Sequence, residues 1–432
     1  MKIYIRTHGC RLNSAESRWI AEELSYRGFE IVDTLTETCD AVIVNTCAVT
    51  NEAESKCMQT LRQLRRKNPS ALMVVTGCLA EKSPELLNKN FDNILILGNA
   101  EKHNLPEHFS NAINDNSYRG IKQTPIQKST FRIGCHLQKK FNQRYNLKIQ
   151  EGCDFFCSYC IIPRLRGRAR SREFQDILDD ARIHVDNGVK ELVLTGVNIG
   201  TYSDSGKNLS DLIYSLNKIV GVERIRISSI EFKTIPDGIL DQMADSGNKL
   251  VKYLHLPLQS GSDRILKHMR RHYTSGEYLE YINFVAEKIP GIGLGTDIII
   301  GFPGERVEDY EASVKMITDS PLKYAHVFSF SARSGTVASL MDKEFIDQRE
   351  IDRRSENLRR ISDGKRHEWY KSFIGERVEV LLEDYTSGAY PGLTDNYARV
   401  EINSTEIGLE NTLQTVEITG MKKNCLIGKI IL

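Results

Sequence analysis

The hydrophobic and polar positions divide the N-terminal part of the chain into alternating strands and helices. Four short β-branched runs are strand candidates: KIYIRT, AVIVNT, LMVVTG and NILIL. Amphipathic stretches of helical period lie between them, for example at residues 15–27 and 52–67. This βαβ alternation predicts a small parallel sheet covered by helices.

A second alternating series begins at Tyr145. It contains six strand candidates, separated by segments of helical length: YNLKIQ, ELVLTG, RIRISS, KYLHLPL, LGTDIIIGF and AHVFSF. Six βα units in succession predict an open or partial (β/α)6 barrel, so the fold class is α/β.

The segments around this second series have a different pattern. Residues from about 100 to 143 show weak periodicity and many Asn, Ser, Pro and Gln residues, which indicates a linker. After a charged helix at about 352–370, short strands and turn signals such as SGAYPG predict a small closed β-barrel. The predicted domains are 1–115, a linker at 116–140, a central domain at 141–370 and a C-terminal module at 371–432.

The cysteines are the part of the composition that says most about the function. The chain has 432 residues, 40% of them hydrophobic, and ten cysteines. No stretch reaches the roughly 18 apolar residues of a membrane span, and the opening residues lack the apolar core of a secretory signal. We therefore expect a cytoplasmic protein with no membrane partner, in which cysteines serve metal ligation or burial rather than disulfides.

The strongest local motif is EGCDFFCSYC, directly after the first strand of the second series. It places Cys153, Cys157 and Cys160, here called the loop triad, at C-x3-C-x2-C spacing. Three thiolates hold three irons of a 4Fe-4S cubane and leave the fourth iron open to a substrate, whereas electron carriers usually have four cysteine ligands. A structural zinc site or an incomplete ferredoxin site is the alternative, although no partner pair of cysteines or histidines lies close by.

A second set, the dispersed triad, consists of Cys10, Cys47 and Cys78, each directly after a strand candidate. The carboxyl ends of parallel strands share one edge of a sheet, so the three thiols should converge there and could hold another cluster with an open iron. Ordinary burial of small cysteines is the alternative. Hydrogen-bond donors expected around this site are Asn13, Asn45 and Thr46. The cysteines without comparable context, interpreted as structural or incidental, are Cys39, Cys57, Cys135 and Cys425.

Several motifs together resemble the radical S-adenosylmethionine methylthiotransferase family over practically the whole chain. They are THGCRLNSAES, NTCAVT, TGC, KIQEGCDFFCSYCIIP, RIRISSIE, HLPLQSGSD, DIIIGFPGE and FSARSGT. The segments NTCAVT and KIQEGC…CIIP are most similar to the bacterial subgroup that acts on N6-threonylcarbamoyladenosine at position 37 of tRNA. The substrate expectation comes from this resemblance alone.

The resemblance implies two 4Fe-4S clusters and S-adenosylmethionine as cofactors. The loop triad would be catalytic, cleaving S-adenosylmethionine to a radical that removes hydrogen from carbon 2 of the adenine. The dispersed triad would carry the sulfur that becomes a methylthio group. The implied partners are the tRNA anticodon loop, an electron donor of flavodoxin or ferredoxin type, and a sulfur source.

Further contacts are implied by position in the family motifs. Tyr159 would pack on the adenine side of S-adenosylmethionine, and a plain core aromatic is the alternative. Cofactor-binding candidates just past barrel strands are Thr195, Gly196, Asn198, Ser229 and Glu231, together with residues 297–305. Candidates for the substrate cavity are Gln259, Ser260 and Arg333. Turn and cap chemistry is the alternative for these positions.

RNA contacts are expected from an alternating arginine run. If extended, it would present guanidinium groups on one side, suited to phosphates. The run contains Arg164, Arg166, Arg168, Arg170 and Arg172. A solvated loop with surface ion pairs is the alternative.

The tail with GLTDNYARV resembles the TRAM RNA-binding module. From Lys371 onward, however, it carries six Lys or Arg against nine Asp or Glu, which departs from a basic RNA clamp.

Three other functions remain open at the level of sequence. A paralogous methylthiotransferase would act on isopentenyladenosine or on a ribosomal protein. A non-catalytic iron-sulfur protein would bind RNA and use its clusters for folding. A zinc module would use the same cysteines for structure alone.

Overall fold

The N-terminal series forms a six-stranded parallel sheet, which confirms the predicted α/β arrangement. The computed structural model describes residues 1–34, 39–126, 131, 133, 144–341, 344–404 and 406–431. The strands are β1 (Lys2–Thr7), β2 (Glu30–Val32), β3 (Ala41–Thr46), β4 (Leu72–Gly77), β5 (Ile94–Leu97) and β6 (Gly120–Lys122). The helices are α1 (Arg11–Tyr26), α2 (Asn51–Lys67), α3 (Cys78–Lys82), α4 (Pro84–Asn90) and α5 (Leu105–Asn114). The strand order is β2-β1-β3-β4-β5-β6.

The edge strand β6 differs from the sequence prediction, which assigned its residues to the linker. Leu95 pairs with Gly120 and Leu97 with Lys122 in parallel register. Three residues are too few to show a period of two, so backbone pairing with β5 creates a strand that the hydrophobic pattern does not reveal.

The central series forms six parallel strands, which confirms the predicted partial barrel. Its strands and connecting hairpins are β7 (Arg144–Lys148), β8 (Gln150–Glu151), β9 (Arg170–Ser171), β10 (Glu191–Thr195), β11 (Ser203–Asp204), β12 (Lys207–Asn208), β13 (Arg224–Ile227), β14 (Tyr253–His255), β15 (Gly293–Ile300) and β16 (Tyr324–Ser329). Its helices are α6 (Ile162–Arg166), α7 (Phe174–Asp186), α8 (Leu209–Asn217), α9 (Ile239–Ala244), α10 (Asp263–His268), α11 (Ser275–Lys288), α12 (Val307–Asp319) and α13 (Gln348–Lys371).

The six parallel strands follow chain order. One sheet has the order β13-β10-β7 and the other β14-β15-β16. Parallel bridges from Ile225 to Leu250 and from Ser229 to His255 join them. The carboxyl ends of all six strands therefore lie along one edge, where ligands of such folds bind.

The C-terminal module is a closed barrel of five strands, as the sequence predicts. The strands are β17 (Arg377–Leu382), β18 (Ala389–Thr394), β19 (Arg399–Asn403), β20 (Leu413–Lys422) and β21 (Cys425–Ile430). Two arginines of β13 dock the barrel: Arg224 Nη1 donates to Leu393 O at 2.8 Å, and Arg226 Nη1 donates to Asp395 O at 2.9 Å. No described helix is long and apolar enough to cross a bilayer.

Candidate active site between two cysteine triads

The dispersed triad converges at the carboxyl edge of the N-terminal sheet, as predicted from the strand ends. Cys10 precedes α1, Cys47 follows β3, and Cys78 begins α3. Gly9 has φ +101°, and a Cβ there would lie 2.8 Å from Cys47 Cβ. Gly77 has φ +93°, and a Cβ there would lie 2.4 Å from the carbonyl oxygen just before Cys47. Only glycine permits both turns. They allow the loops that carry Cys10 and Cys78 to pack closely against the loop that carries Cys47.

Polar side chains fasten these loops together. Asn13 Nδ2 donates to His8 O at 2.7 Å and to Thr46 O at 3.0 Å. Thr46 Oγ1 donates to Thr76 O at 2.6 Å, and Asn45 Nδ2 donates to Asn13 O at 3.0 Å. The described hydrogen bonds of the three expected donors thus go largely to backbone carbonyls and fix the positions of the cysteine loops.

The thiols of the dispersed triad influence one another. Burial, followed by the neighbouring Cys78 and Cys10, raises the pKa of Cys47 to about 11. Cluster binding would replace these protons, since the thiolate is the ligand. Cys57, fully buried, accepts from Cys47 N–H at 3.4 Å and donates to Cys47 O at 3.4 Å. It supports the loop from behind, in keeping with a structural role.

The other cysteines of uncertain context belong to the packing of the domains. Cys39 is buried beside the N-terminal sheet, and Cys425 is half-buried at the start of β21. The prediction for Cys135 lies outside the described residues.

The loop triad lies between β8 and α6, at the carboxyl edge of the first barrel strand. Cys160 N–H donates to Cys157 O at 3.0 Å, which closes a tight turn. Gly152, just before the triad, has φ +72°, and a Cβ there would lie 2.0 Å from Arg168 O. Only glycine therefore fits at the start of this loop. Burial, followed by the thiols of Cys157 and Cys153, raises the pKa of Cys160 to about 12. The turn and the glycine thus hold the three cysteines on one short loop, close enough for their thiols to influence one another.

Arg271 joins the loop triad to a carboxylate of the barrel. Its Nη1 donates to Cys157 Sγ at 3.4 Å, and its Nη2 binds Glu231. Burial raises the pKa of Glu231, although Arg271 opposes the shift. Sequence reasoning missed Arg271 because 114 residues separate it from Cys157, and its motif MRRHY shows no sign of a ligand role.

Both triads fit a cubane cluster better than a single zinc ion. Tetrahedral zinc holds sulfur at about 2.3 Å, which brings thiolates within about 4 Å of each other. In the part of the chain that the structure describes, the three thiols of neither cysteine triad lie within 4.8 Å of one another. A different group of possible ligands does meet that distance: His255, Asp297 and His326. A cubane takes one thiolate per iron and so accepts wider spacing, and three thiolates leave one iron for a substrate.

A cavity of about 190 Å³ is lined by Cys160 of the loop triad and by residues that closely follow Cys47 of the dispersed triad, and is here called the cavity between the triads. Tyr159 and Cys160 form its wall on the barrel side, and Val49 and Thr50, which follow Cys47 closely, form its wall on the N-terminal side. Gln259, Asp297 and Arg333 also line it. A group bound here would touch elements that carry both triads.

The predicted cofactor residues after β10 surround Gln150. Val197 N–H and Asn198 N–H both donate to Gln150 Oε1 at 2.9 Å. A Cβ on Gly196 would lie 2.9 Å from Gln150 O, so the turn requires glycine. Asn198 is 3% exposed, and its Nδ2 has no partner among the described residues, which leaves a buried donor for a ligand.

The remaining cofactor candidates occupy different environments. Thr195 is buried at the end of β10, and its Oγ1 donates to Val193 O at 3.0 Å. Ser229 is exposed just past β13. Tyr159 packs edge-on against Phe302 at 6.4 Å and also lines the cavity, so it combines a core contact with a ligand-facing position.

The substrate candidates divide into two lining residues and one that is turned away. Gln259, at φ +77°, lines the cavity. Arg333 lines it too, but its Nη1 and Nη2 bind Asn51 and Glu54 of the N-terminal domain. Ser260 is 1% exposed and accepts from Ser262 N–H at 3.2 Å, outside the cavity wall. Arg333 therefore also joins the two domains.

The premise of an exposed arginine row is wrong. Arg166 and Arg172 are each 1% exposed. Arg172 pairs with Asp180 at 2.6 Å, and Arg170 lies 3.2 Å from Glu151. The alternation in sequence does not reveal these carboxylate partners, which convert the presumed phosphate contacts into internal ion pairs.

The buried arginine Arg166 belongs to an ion network between the two domains. Its Nη1 contacts Glu16 at 2.9 Å and Glu151 at 2.8 Å. Lys102 at 2.6 Å and Lys148 at 2.9 Å also contact Glu16. Burial alone would raise the pKa of Glu16. The three cations have the larger effect and lower the pKa to well below its usual range. The network joins α1, which begins directly after Cys10, to α6, which begins two residues after Cys160.

Asp297 marks the barrel side of the cavity. His255 Nε2 contacts Asp297 Oδ1 at 2.9 Å, and His326 Nδ1 does so at 3.3 Å. Burial would raise the pKa of Asp297, yet these two hydrogen bonds lower it well below its usual range. The site thus holds a carboxylate fixed as an acceptor beside Cys160 and Gln259.

Two family models match the chain. The Radical SAM superfamily matches residues 147–317, and "Uncharacterized protein family UPF0004" matches residues 2–98. With the loop triad at the edge of a six-stranded partial barrel, these matches define the chain as a radical S-adenosylmethionine enzyme.

Similar curated proteins narrow the class. The chain is 33% identical to the Bacillus subtilis (strain 168) threonylcarbamoyladenosine tRNA methylthiotransferase MtaB, covering 94% of this chain and 91% of that one. It is 34% identical to the same-named Chlamydia pneumoniae protein, covering 98% and 96%. It is also 34% identical to the tRNA-2-methylthio-N(6)-dimethylallyladenosine synthase of Syntrophus aciditrophicus (strain SB), covering 91% and 86%. The chain belongs to the tRNA methylthiotransferase family, whose cofactors are S-adenosylmethionine and two 4Fe-4S clusters.

Solved structures agree on the fold. The radical S-adenosylmethionine methyltransferase TsrM from Kitasatospora setae matches with TM-score 0.54 at 12% identity, covering 76% of this chain and 74% of that one. The radical enzyme OxsB matches with TM-score 0.51 at 13% identity, covering 82% of this chain and 56% of that one. At such identities the likeness concerns the fold alone.

Proposed function

We propose that the chain methylthiolates carbon 2 of N6-threonylcarbamoyladenosine at position 37 of tRNA. The observation that carries this proposal is the cavity that is lined both by Cys160 and by Val49 and Thr50 of the segment after Cys47. An adenine held there would present one edge to both cysteine triads. The motifs NTCAVT and CIIP and the names of several relatives support the threonylcarbamoyl substrate.

In this proposal Cys153, Cys157 and Cys160 hold one cluster, and Cys10, Cys47 and Cys78 hold the other. S-adenosylmethionine bound at the loop triad would supply the radical chemistry that removes the C2 hydrogen, ending as methionine and 5′-deoxyadenosine, and a second S-adenosylmethionine would supply the methyl group. An external source would supply the sulfur. A donor protein of flavodoxin or ferredoxin type would supply the one electron needed for cleavage, and one electron would be released when the C2–S bond replaces the C2–H bond.

The protein's own residues position the reactants. Asn198 Nδ2 offers a buried donor at the barrel edge, and Arg271 fixes both Cys157 and Glu231. Asp297, kept ionised by two histidines, accepts a hydrogen bond from the substrate or from the ribose of the cofactor. Thr50 and Arg333, which line the cavity, would border the bound base.

Recognition of tRNA would involve the anticodon loop, because the reacting base must leave its stack to enter the cavity. Exposed arginines beside the loop triad, Arg164 and Arg168, are the members of the arginine run that remain available at the surface. Arg168 lies 2.7 Å from Asp154, so its phosphate contact would compete with that pair. Action on tRNA supports the expected cytoplasmic location.

A second candidate substrate is the dimethylallyl-modified adenosine. It is favoured by relatives of that name at 33% and 34% identity, values that match those of the threonylcarbamoyl relatives. The two substrates differ at N6, where one carries a polar anionic group and the other an apolar chain.

The test is anaerobic turnover of reconstituted protein on anticodon stem-loops that carry threonylcarbamoyl, dimethylallyl or unmodified adenosine at position 37. Nucleosides and 5′-deoxyadenosine are measured by liquid chromatography and mass spectrometry. We expect a methylthio product from the threonylcarbamoyl stem-loop in at least tenfold excess over the others. Cys78→Ala should still release 5′-deoxyadenosine but form no methylthio product. A preference for the dimethylallyl stem-loop would refute the proposed substrate.

A further inference from the structure

A second cavity, of about 570 Å³, adjoins the cavity between the triads. The two share a wall formed by Thr50, Phe328, Ser329, Phe330 and Ser331. The larger cavity extends away from the cysteines, between the start of α2 and the start of α13. A substituent on a base held in the smaller cavity would have to pass these shared residues to enter the larger one.

The lining of the larger cavity is mixed in polarity. Hydroxyl and amide groups come from Thr50, Ser329, Ser331, Asn51 and Gln348, and apolar walls come from residues such as Phe328, Phe330 and Ile351. Several of the polar groups already have protein partners: Ser331 Oγ accepts from Asn51 N–H at 3.2 Å, Ser329 Oγ contacts Ser355 Oγ at 3.1 Å, and Gln348 donates to Asp352 at 2.8 Å. Discrimination between an anionic and an apolar substituent therefore rests on the charged residue of this lining.

Arg359 supplies the one positive charge among the described residues that line this cavity. It projects from α13, and its Nη2 donates to Val327 O at 3.2 Å, which orients the guanidinium plane. A guanidinium carries five N–H donors, so the others can face the cavity as a fork that matches a carboxylate. The carboxylate on the same wall, Glu52, pairs with Lys56 at 2.5 Å. This hydrogen bond, with a smaller contribution from the charge of Arg359, lowers the pKa of Glu52, so a bound carboxylate would compete with Glu52 for Arg359.

We propose that Arg359 binds the threonyl carboxylate of the substrate and thereby determines specificity for the anionic N6 substituent. The inference rests on the proposed function, because only the threonylcarbamoyl group carries a carboxylate at N6. The adenine would occupy the cavity between the triads, and the substituent would pass Ser329 and Ser331 to reach Arg359.

The test compares two stem-loops that differ only in this charge: threonylcarbamoyladenosine and its neutral carboxamide at position 37. Dissociation constants and kcat/KM are measured for wild type, Arg359→Gln and Arg360→Gln. Arg360 is the matched control, an exposed neighbour on α13 that donates to Asn357 at 2.9 Å. Iron and acid-labile sulfide content and the far-ultraviolet circular dichroism spectrum verify the fold of each variant.

We expect wild type to prefer the acid to the amide by roughly 10- to 100-fold, the range of a charge-assisted hydrogen bond. Arg359→Gln should abolish that preference, and Arg360→Gln should retain it. Equal weakening of both stem-loops by Arg359→Gln would identify a backbone-phosphate contact and overturn the inference. An unchanged preference in Arg359→Gln, or none in wild type, would overturn it too. Failure of the proposed function would look different: wild type would form no methylthio product from the acid stem-loop.

Discussion

Arg271 donates from Nη1 to the sulfur of Cys157 at 3.4 Å. A cationic hydrogen bond to a ligand thiolate favours the reduced, more negative form of a cluster. We predict that Arg271→Gln lowers the potential of the loop-triad cluster by roughly 40 mV, the equivalent of a net hydrogen bond of about 1 kcal/mol. Redox titration followed by electron paramagnetic resonance measures this shift.

The control for this prediction is Arg271→Lys, which keeps the charge and should shift the potential less. Arg270→Gln, at an exposed neighbouring position, should leave it unchanged. An Arg271→Gln cluster with the wild-type potential would contradict the assigned role.

Gly77 is the sharpest test of how the dispersed triad converges. Gly77→Ala places a Cβ 2.4 Å from Thr46 O and also strains a backbone at φ +93°. We expect the protein to lose about half its iron and acid-labile sulfide, because the dispersed-triad site is displaced and the loop-triad site is not. Gly28→Ala is the matched control, with φ +89° and nothing within 4 Å. It should cost only about 1 kcal/mol of stability and retain full iron. Full iron in Gly77→Ala would show that this close approach is unimportant.

The buried network around Glu16 should stabilise the interface between the two domains. Arg166→Met leaves Glu16 and Glu151 without their shared guanidinium. Loss of one partner of a buried ion pair typically costs about 3–5 kcal/mol, so denaturant should unfold the variant earlier. Arg168→Met, at an exposed pair with Asp154, should change stability by less than about 1 kcal/mol. Equal stability of the two variants would contradict the role given to the network.

His103 should make the protein less stable in mild acid. Burial, followed by repulsion from Lys148, lowers its pKa to about 4. Between pH 6.5 and 4 the unfolded chain therefore binds a proton that the folded chain does not, and stability falls as pH falls, by up to about 1.4 kcal/mol per unit. In His103→Gln this part of the slope should disappear. The thermal midpoint at pH 7.5 and at pH 5.5 measures it, with His272→Gln, at an exposed position, as the control. A slope retained in His103→Gln would assign the acid sensitivity to other groups.

The sequence predicts what is periodic or local. Both triads could be found because Cys153, Cys157 and Cys160 are close in the chain, and because Cys10, Cys47 and Cys78 each follow a strand of a parallel sheet. Strand β6 could not be found, since three residues show no period and the pairing with β5 is tertiary.

The sequence does not reveal which group a charged side chain contacts in the folded protein. Arg166 looks like an RNA ligand in an alternating run, but its carboxylate Glu16 lies 150 residues away. Arg271 reaches Cys157 across 114 residues for the same reason. Such contacts form only when distant parts of the chain pack together, within the barrel for Arg271 and between the two domains for Arg166, so neither spacing nor composition reveals them.

The most direct measurement of the central claim is nucleoside analysis of tRNA from cells that lack this gene. The account predicts that 2-methylthio-N6-threonylcarbamoyladenosine disappears and N6-threonylcarbamoyladenosine accumulates. Expression of wild type should restore the methylthio nucleoside, and Cys47→Ala or Cys157→Ala should not. An undiminished 2-methylthio-N6-threonylcarbamoyladenosine peak in the deletion strain would contradict the account.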